Sequence, residues 1–317
     1  MEMHYLSGKI KRSLFLVFFL LHSQQGITAD TIDDKPYVTC RIRGQLGNQL
    51  FQIATTLAHA WDNNMHPIFP ELQQTHNNIP ANLKRIFYRL DANSLPRPVL
   101  STFEQMDNFE YVEIPNNPDL YLRGYFQTWE YFDHHRDRIR EIFSPGASEL
   151  AKLQLKHTNL LNHPFTVGVH VRTFNKQWSN IIPFVGLKYY KEAMDLFPSD
   201  ALFVIFSDRI NWCKQHFSQF NRQMIFIEDQ DHIEDFILMS MLDHNIIGNS
   251  SYSWWAAYLN QNPDKYVVAP SHFVHPRIRS TVNANMTEWH TIEVDVNTPY
   301  PDDIRKYDIF SQSIDTQ

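Results

Sequence analysis

Polar side chains that could bind or transform a ligand follow four apolar runs in the second half of the chain. The runs have strand length, and each precedes a helical pattern; they are Phe165–Val171, Ala201–Phe206, Gln223–Ile227 and Asn245–Gly248. The residues at their ends include an arginine, a histidine, carboxylates and serines. Because a parallel, doubly wound sheet collects its strand ends along one edge, where α/β proteins bind ligands, the pattern predicts one shared site.

The first cluster combines a histidine and an arginine on one face of a strand. Side chains alternate along a strand, so His170 and Arg172 point to the same side where the strand ends. The planar guanidinium of arginine offers parallel donors to a pyrophosphate. Arg172 is therefore a candidate phosphate ligand; the alternative is that it pairs with a neighbouring carboxylate such as Asp208.

The fourth cluster places serines and an asparagine at the predicted start of a helix. Ser250 or Ser251 is expected to be the N-cap of a helix over residues 252–260, with Asn249 and Ser253 beside it. Hydroxyl groups and backbone N–H groups at a helix start favour an anion. The cluster predicts a second phosphate contact; the alternative is ordinary capping without a ligand.

Carboxylates follow the second and third strands. Ser207 and Asp208 end the second strand, where an acid could accept hydrogen bonds from a base or ribose, serve as a general base, or begin the next helix. Asp229 and Asp231 have the spacing of a pair that chelates a divalent cation. Asp231 also precedes the helical pattern at 232–242, where acids are expected, and we expect no metal.

The chain that carries these clusters is long enough for two domains. Its 317 residues exceed a typical single domain, and 43% hydrophobic and 14% aromatic residues suffice for sizeable cores. A formal net charge of −7 gives no reason to expect nucleic acid as a partner, and two cysteines exclude a disulfide framework. The strand–helix alternation predicts an α/β fold.

Three segments are expected along the chain. Residues 1–36 have the pattern of a targeting segment and spacer, in which basic residues precede the apolar run Leu14–Leu21. This run is shorter than the about 20 residues of a spanning helix, so it indicates a cleaved signal peptide or a short signal anchor. Either one predicts the secretory pathway. Residues 37–146 would form an N-terminal α/β domain, and residues 147–317 a C-terminal domain with its tail.

The N-terminal domain opens with a strand, a glycine turn and a helix. Tyr37–Ile42 leads into GQLGNQ at 44–49, which lacks the third glycine of the dinucleotide fingerprint. Its glycines still allow a ligand or the facing domain to approach the backbone closely. Two N-x-[ST] sequons begin at Asn249 and Asn285, and only Asn285, outside the predicted cleft, is an expected glycan acceptor.

Five segments together resemble the α-1,2-fucosyltransferases of glycosyltransferase family 11. They are GQLGNQLFQIA at 44–54, RGYFQTWEYF at 123–132, VGVHVR at 167–172, FSDRINWCKQHF at 206–217 and LMSMLDHNIIGNSSYSWWAAYLN at 238–260. The resemblance implies a GT-B-like architecture, with two Rossmann-like domains facing a cleft. It also implies inverting transfer of fucose from GDP-fucose to the 2-hydroxyl of a terminal β-galactoside, without a metal or other cofactor. Animal members are type II Golgi proteins facing the lumen.

The resemblance also assigns roles within the predicted site. Arg172 would neutralise charge on the β-phosphate as GDP leaves, Asp208 is a candidate for the nucleoside half or for the base, and Asn48 would face the sugar across the cleft. The expected donor-binding residues are His170, Arg172, Ser207, Asp208, Asn249, Ser250, Ser251 and Ser253.

One motif departs from the family pattern. The family's first motif usually reads His-x-Arg-Arg-x-Asp, and this chain reads HVRTFN at 170–175. Thr173 cannot supply charge to a pyrophosphate, and Asn175 cannot act as a base. The alternative to an active transferase is therefore a catalytically silent relative that binds glycans or partner enzymes. The retained arginine, serine pair and glycine turn favour the enzyme.

Overall fold

The structure, a computed structural model, describes residues 35–106, 110–173, 181–278 and 284–307. Residues 1–34 of the expected targeting segment and Asn175 lie outside these ranges. Within them, no helix combines the length and the apolarity needed to cross a bilayer.

The N-terminal half of the described chain forms a four-stranded parallel sheet. The strands, in the order β2-β1-β4-β3, are β1 Tyr37–Cys40, β2 His66–Pro67, β3 Ser101–Glu104 and β4 Leu120–Arg123. The helices of this half are α1 Leu46–Asp62 and α2 Ile79–Arg85, with a three-ten turn at Pro70–Gln73. The strand β1 is buried along its whole length, as expected for a central parallel strand. The predicted strand, glycine turn and helix are therefore present.

The second sheet has six parallel strands in the order β10-β9-β8-β5-β6-β7. They are β5 Thr166–Val171, β6 Leu202–Ser207, β7 Gln223–Phe226, β8 His244–Ile246, β9 Val267–Pro270 and β10 His290–Ile292. The chain moves outward from β5 to β7, returns to β8 beside β5, and then moves outward on the other side. The predicted doubly wound sheet is confirmed, and with the first sheet it gives the expected two-part, GT-B-like α/β architecture.

Among the described residues, three of the remaining helices lie between β4 and β5 in the chain, and the other four connect strands of the second sheet. The remaining helices, in chain order, are α3 Arg136–Ile142, α4 Ala147–Lys156, α5 Thr158–Leu161, α6 Gly186–Asp195, α7 Ile210–Phe217, α8 His232–Met241 and α9 Ser251–Leu259. Three-ten turns lie at Trp129–Tyr131, Asp133–His135, Ser218–Phe220 and Asp302–Tyr307. Because the strands of this sheet are all parallel, their carboxyl ends lie along one edge.

An aromatic core joins the two halves of the molecule. Phe51 of α1 packs against Trp254 and Trp255 of α9, with ring centroids 4.7 and 5.2 Å apart. Phe132 stacks on Trp255 at 5.1 Å, and Arg140 of α3 donates to the carbonyl of Tyr258. Each buried aromatic pair contributes about 0.5–1.5 kcal/mol beyond its area burial. The segment before the expected boundary at 146/147 is thus packed on a helix of the second half, and the boundary itself stays a prediction.

The N-termini of α1 and α9 meet at Gly47. A Cβ atom at this position would lie 2.5 Å from the backbone carbon of Ser251 and 2.5 Å from the nitrogen of Tyr252. No side chain fits at that distance unless one helix moves. The second glycine of the GQLGNQ turn is therefore needed for the close approach of the facing domain, one of the two uses expected for these glycines.

We predict that Gly47→Ala destabilises the protein by about 1–3 kcal/mol, because the added methyl group pushes α1 away from α9 and loosens the aromatic core. The free energy of unfolding, measured by urea denaturation, checks this. The matched control is Gly146→Ala, since a Cβ there meets nothing closer than the Tyr88 hydroxyl at 3.9 Å. Equal stabilities for the two variants would show that the α1–α9 contact is not tight.

Candidate active site

The loop after β8 packs directly on the end of β5. A Cβ atom at Gly248 would lie 3.3 Å from the carbonyl oxygen of His170 and 3.8 Å from the backbone nitrogen of Arg172. The polar residues that follow β8 are thereby held beside those that end β5. This is the position where the strand order reverses, and the crevice outside such strand ends is the usual ligand site of open α/β sheets.

Arg172 forms an ion pair with Asp208 across the ends of β5 and β6. Its Nη1 lies 3.0 Å from Oδ2 of Asp208, and the arginine side chain remains 39% exposed. The structure therefore shows the alternative that the sequence left open, in which Arg172 pairs with this carboxylate. The pairing leaves the side chain partly exposed at the strand end, so an anionic ligand could compete with the carboxylate for it.

A second guanidinium, from Arg209, reaches the same carboxylate. Arg209 is only 7% exposed; its Nη1 lies 3.2 Å from Oδ2 of Asp208 and donates to the hydroxyl of Thr173. The N–H and the hydroxyl of Thr173 both donate to Oδ1 of Asp208, at 3.2 and 3.1 Å. The sequence analysis did not select Arg209. Its position directly after Asp208, at a strand end, could have indicated a role in the site.

The two residues at the end of β6 have distinct structural roles. The Ser207 hydroxyl accepts the N–H of Arg209 at 3.0 Å, which closes the turn into α7. Asp208 does not begin that helix, because its N-cap is Arg209 and its first residue is Ile210. Instead, both carboxylate oxygens of Asp208 accept hydrogen bonds at the strand ends, so this residue organises Arg172, Thr173 and Arg209.

Helix α9 begins at Ser251, and Ser250, with extended backbone angles, is its N-cap. The hydroxyl of Ser250 makes no capping hydrogen bond, so ordinary side-chain capping does not account for this serine. Ser251, the first residue of the helix, instead donates its hydroxyl to Oδ1 of Asn48 at 2.9 Å. The N–H groups of residues 251–253 have no acceptor in the described part of the chain, so this helix start keeps donors for an anion although Gly47 of α1 packs against it.

Two other candidates of this cluster point into the protein. Asn249 is 2% exposed and donates to the carbonyl of Pro183 at 2.6 Å, and Ser253 is fully buried and donates to the carbonyl of Ser250. Both side chains support the loop and the helix from inside. Asn285, the expected glycan acceptor, is also buried and donates to the carbonyl of Pro270, which leaves no room for a glycan in the folded chain.

Asn48 links the two halves of the site. Its Oδ1 accepts from Nε2 of Gln127 at 2.7 Å and from the Ser251 hydroxyl at 2.9 Å. Its Nδ2 has no acceptor in the described part of the chain, so it can donate to a ligand. Gln127, which fixes this orientation, was not singled out from the sequence, although it lies within one of the five quoted segments.

His170 is a neutral, buried histidine next to the crevice. It is 6% exposed, its Nδ1 has no hydrogen-bond partner, and its ring lies 5.3 Å from the ring of Tyr252. Burial, followed by the nearby Arg172 cation, lowers the pKa of His170 from 6.5 to about 3. A group with this pKa carries no proton near neutrality and is a weak base, in agreement with a role in shaping the site.

The carboxylate pair at 229 and 231 does not form an open chelating pair. Asp231 is the N-cap of α8, where its Oδ1 accepts the N–H groups of Ile233 and Glu234, and its Oδ2 pairs with Arg85 at 2.5 Å. The helix-start alternative is therefore the one that the structure has. Asp229 adopts a left-handed backbone conformation in the preceding turn.

One cluster of metal-ligating side chains lies elsewhere on the N-terminal half. Asp62 accepts from the ring nitrogens of His134 and His135 at 2.9 and 2.7 Å, so three side chains of types that bind transition metals meet there. No sequence pattern pointed to this cluster, because Asp62 is distant in the chain from the two histidines. Asp62 ends α1, about 20 Å along the helix from Asn48, so the cluster is separate from the candidate site.

The chain matches the profile of Glycosyl transferase family 11 over residues 8–293. It is 26% identical over 288 residues to an alpha-1,2-colitosyltransferase of Escherichia coli, an alignment that covers 81% of this chain and 99% of that protein. It is 27% identical over 279 residues to the Homo sapiens galactoside alpha-(1,2)-fucosyltransferase 1, covering 80% of this chain and 74% of the human protein.

Two solved structures are more distant. The fucosyltransferase NodZ from Bradyrhizobium has a TM-score of 0.47 and 14% identity, covering 70% of this chain and 92% of its own. POFUT1 in complex with GDP has a TM-score of 0.47 and 12% identity, covering 75% of this chain and 98% of its own. The assignment rests on the family profile, which spans most of the sequence: the chain belongs to glycosyl transferase family 11.

We predict that the neutral state of His170 makes stability depend on pH. Its pKa is lowered on folding, so unfolding takes up a proton at acidic pH, and stability is fully present above about pH 6.5 and decreases as the pH falls toward 3. This histidine alone should remove about 2 kcal/mol between pH 7.5 and 5. Urea denaturation of the wild type and of His170→Gln at both pH values measures the difference.

The control for this measurement is His290→Gln, because His290 is an exposed histidine far along the chain from the site. The control should keep the pH dependence of the wild type. If His170→Gln also kept it, the histidine would not be buried in its neutral form.

Proposed function

We propose that this chain transfers L-fucose from GDP-fucose to the 2-hydroxyl of a terminal β-galactoside on a glycan, with inversion at the anomeric carbon. The observation that carries the proposal is the partly exposed side chain of Arg172 at the reversal point of the second sheet, where α9 begins with N–H groups that have no acceptor among the described residues. Family membership and the two named relatives support transfer of a deoxy sugar in a 1,2 linkage.

The leaving diphosphate explains the arrangement of charges. In the free protein, Asp208 stands between two guanidinium groups, those of Arg172 and Arg209, so the strand ends carry an excess of one positive charge. GDP gains negative charge on its β-phosphate as the glycosidic bond breaks. A fixed arginine and a helix start aimed at that phosphate act most strongly in the transition state, which is the condition for faster chemistry.

Arg209 offers an answer to the departure in the first motif. The family usually has a second arginine where this chain has Thr173, and the guanidinium of Arg209 donates to the hydroxyl of Thr173. We infer that Arg209 restores the positive charge at this position from the neighbouring strand. Because it is buried, it acts by positioning Arg172 and Asp208 and by its field, without direct contact to the donor.

Asp208 is better suited to this positioning role than to that of the base. Its oxygens already accept hydrogen bonds from Thr173 and Arg209 and pair with Arg172, so none is directed at an incoming hydroxyl. On the other side of the crevice, the free Nδ2 of Asn48 would orient the sugar. Ser250 and the start of α9 would hold the diphosphate.

We further propose that the reaction needs no metal ion and takes place in the Golgi lumen. The charge of the diphosphate is met by arginine and the helix start, and Asp231 is engaged by Arg85 and the start of α8. The proposed location rests on the basic and apolar pattern at the N-terminus, read either as a cleaved signal peptide or as a type II anchor.

The test is release of GDP by the purified chain, with GDP-fucose and a panel of β-galactosides. We expect release that depends on the acceptor and a product cleaved by an α-1,2-specific fucosidase. A parallel assay with a nucleotide-activated colitose donor determines which of the two sugars the enzyme transfers. Binding of GDP-fucose without release would indicate an acceptor outside the panel. Neither binding nor release would favour the catalytically silent relative.

We predict that Arg172→Ala lowers kcat by about 10²–10³-fold, because it removes the exposed charge at the leaving phosphate. The control is Arg222→Ala, since Arg222 pairs with Asp195 at the opposite end of the same sheet. The control should retain near-normal turnover. Near-normal turnover in Arg172→Ala would refute the phosphate assignment.

We predict that activity survives a chelator. Preincubation with EDTA, followed by the same GDP-release assay with and without added Mn²⁺, measures this. Rates should stay within about twofold of the untreated enzyme, within ordinary assay scatter. Abolition by EDTA with recovery in Mn²⁺ would show that a divalent cation takes part, and Asp229 and Asp231 would become candidates again.

A further inference from the structure

A large polar cavity lies over the carboxyl ends of β1 and β4, in the N-terminal half. Its volume is about 630 Å³, and its walls include Arg41, Arg43, Glu71 and Tyr121. An adjoining recess of about 190 Å³ shares both arginines and adds Arg123. None of these residues belongs to the expected donor site, so the cavity is a second place where a ligand can bind.

The cavity holds more positive than negative charge. The guanidinium groups of Arg41 and Arg43 make no hydrogen bond or ion pair with any residue that the structure describes. Glu71 also lines the cavity and offsets one of these two charges, so an excess of one positive charge remains. Its two oxygens accept from the N–H of Ile42 at 2.8 Å and the hydroxyl of Tyr121 at 2.6 Å, and neither pairs with a guanidinium. Arg123 is paired, with Glu104 at 3.6 Å.

The position of Arg41 is energetically unfavourable for a cation without an ion-pair partner, because the side chain is partly removed from water. It is half-buried directly after β1, whereas Arg43 is exposed on the turn that follows. An arginine without a partner in a partly enclosed polar cavity favours the binding of an anion, and its planar fork matches a carboxylate or a sulfate group in two-point contact.

The glycine turn separates the cavity from Asn48 of the candidate active site by a single residue, Gly44. Gly44 lines the cavity, and a Cβ atom at Gly44 would lie 2.3 Å from Nδ2 of Asn48. The amide of Asn48 therefore packs directly on a residue of the cavity wall. A molecule seated on the arginines can extend toward Asn48 and the crevice beyond.

Resting on the proposed transferase function, we propose that this cavity is the acceptor site and that it selects acceptors bearing a negative group. The ligand class is a galactose-terminated glycan with the carboxylate of an acidic sugar or a sulfate ester near the terminal galactose. Arg41 and Arg43 bind the anionic group, and this contact holds the galactose with its hydroxyl toward Asn48 and the donor.

The experiment compares three acceptors that share one galactoside core: a neutral one, one with a uronic acid and one with a sulfate ester. In the wild type, the KM for an acidic acceptor should lie about tenfold or more below that for the neutral one, as for a charge-assisted contact. In the double variant Arg41→Gln/Arg43→Gln, the ratio should fall to near one. The uronic acid and sulfate arms identify which anion is preferred.

The matched control is Arg138→Gln, because Arg138 is an exposed arginine of the same half that stacks on Trp61, away from the cavity. It should keep the wild-type ratio, which separates a local contact from a loss of net charge. Equal KM values for all three acceptors in the wild type, or a preference that survives in the double variant, would overturn the proposal.

Two binding measurements keep this inference distinct from the proposed function. Calorimetry with GDP-fucose tests the donor site in the wild type and in the double variant, and absent binding in the wild type would count against the transferase. Saturation-transfer NMR without donor tests the cavity directly. Signals from the sulfated or uronic galactoside that vanish in the double variant support the anion site, and their absence in the wild type contradicts it.

Discussion

The contact between the N-termini of α1 and α9 is the constraint on which the rest of the structure depends. Gly47 allows the two helix starts to touch, and Asn48 joins them by accepting from Ser251 while Gln127 holds it from the other side. The aromatic core around Phe51 stabilises this approach from below. As a result, the glycine turn that follows β1 lies directly against the loop that follows β8.

The electrostatics of the site follow from the strand order. Because β5 lies between β6 and β8, the arginine that ends β5 meets the carboxylate that ends β6 on one side and a helix start on the other. One carboxylate shared by Arg172 and Arg209 keeps two like charges close together in the absence of a ligand. Such a site is preorganised for an anion, since a diphosphate can replace the Asp208 carboxylate as the partner of Arg172.

Much of this could be predicted from the sequence, and the physical reasons differ from residue to residue. The convergence of His170, Arg172, Asp208 and Ser250 follows from parallel strands, whose ends share one edge whatever the details of packing. The helix start at Ser250 follows from local capping preferences. The inward orientation of Asn249 and Ser253 could not be predicted from the sequence. A polar residue near a helix start has the same sequence pattern whether it bonds to the backbone or to a ligand.

The sequence by itself determined the α/β class, the strand-end clusters and the glycine turn, because these depend on periodicity and on the conformational needs of neighbouring residues. Only the tertiary structure decided the partners: that Arg209 reaches Thr173 from the adjacent strand, that Asn48 bridges two helices, that Asn285 is buried, and that Arg41 and Arg43 line a cavity without an ion-pair partner among the described residues. Pairings between segments far apart in the chain are set by the packing of whole elements, and no local pattern of residue types records them.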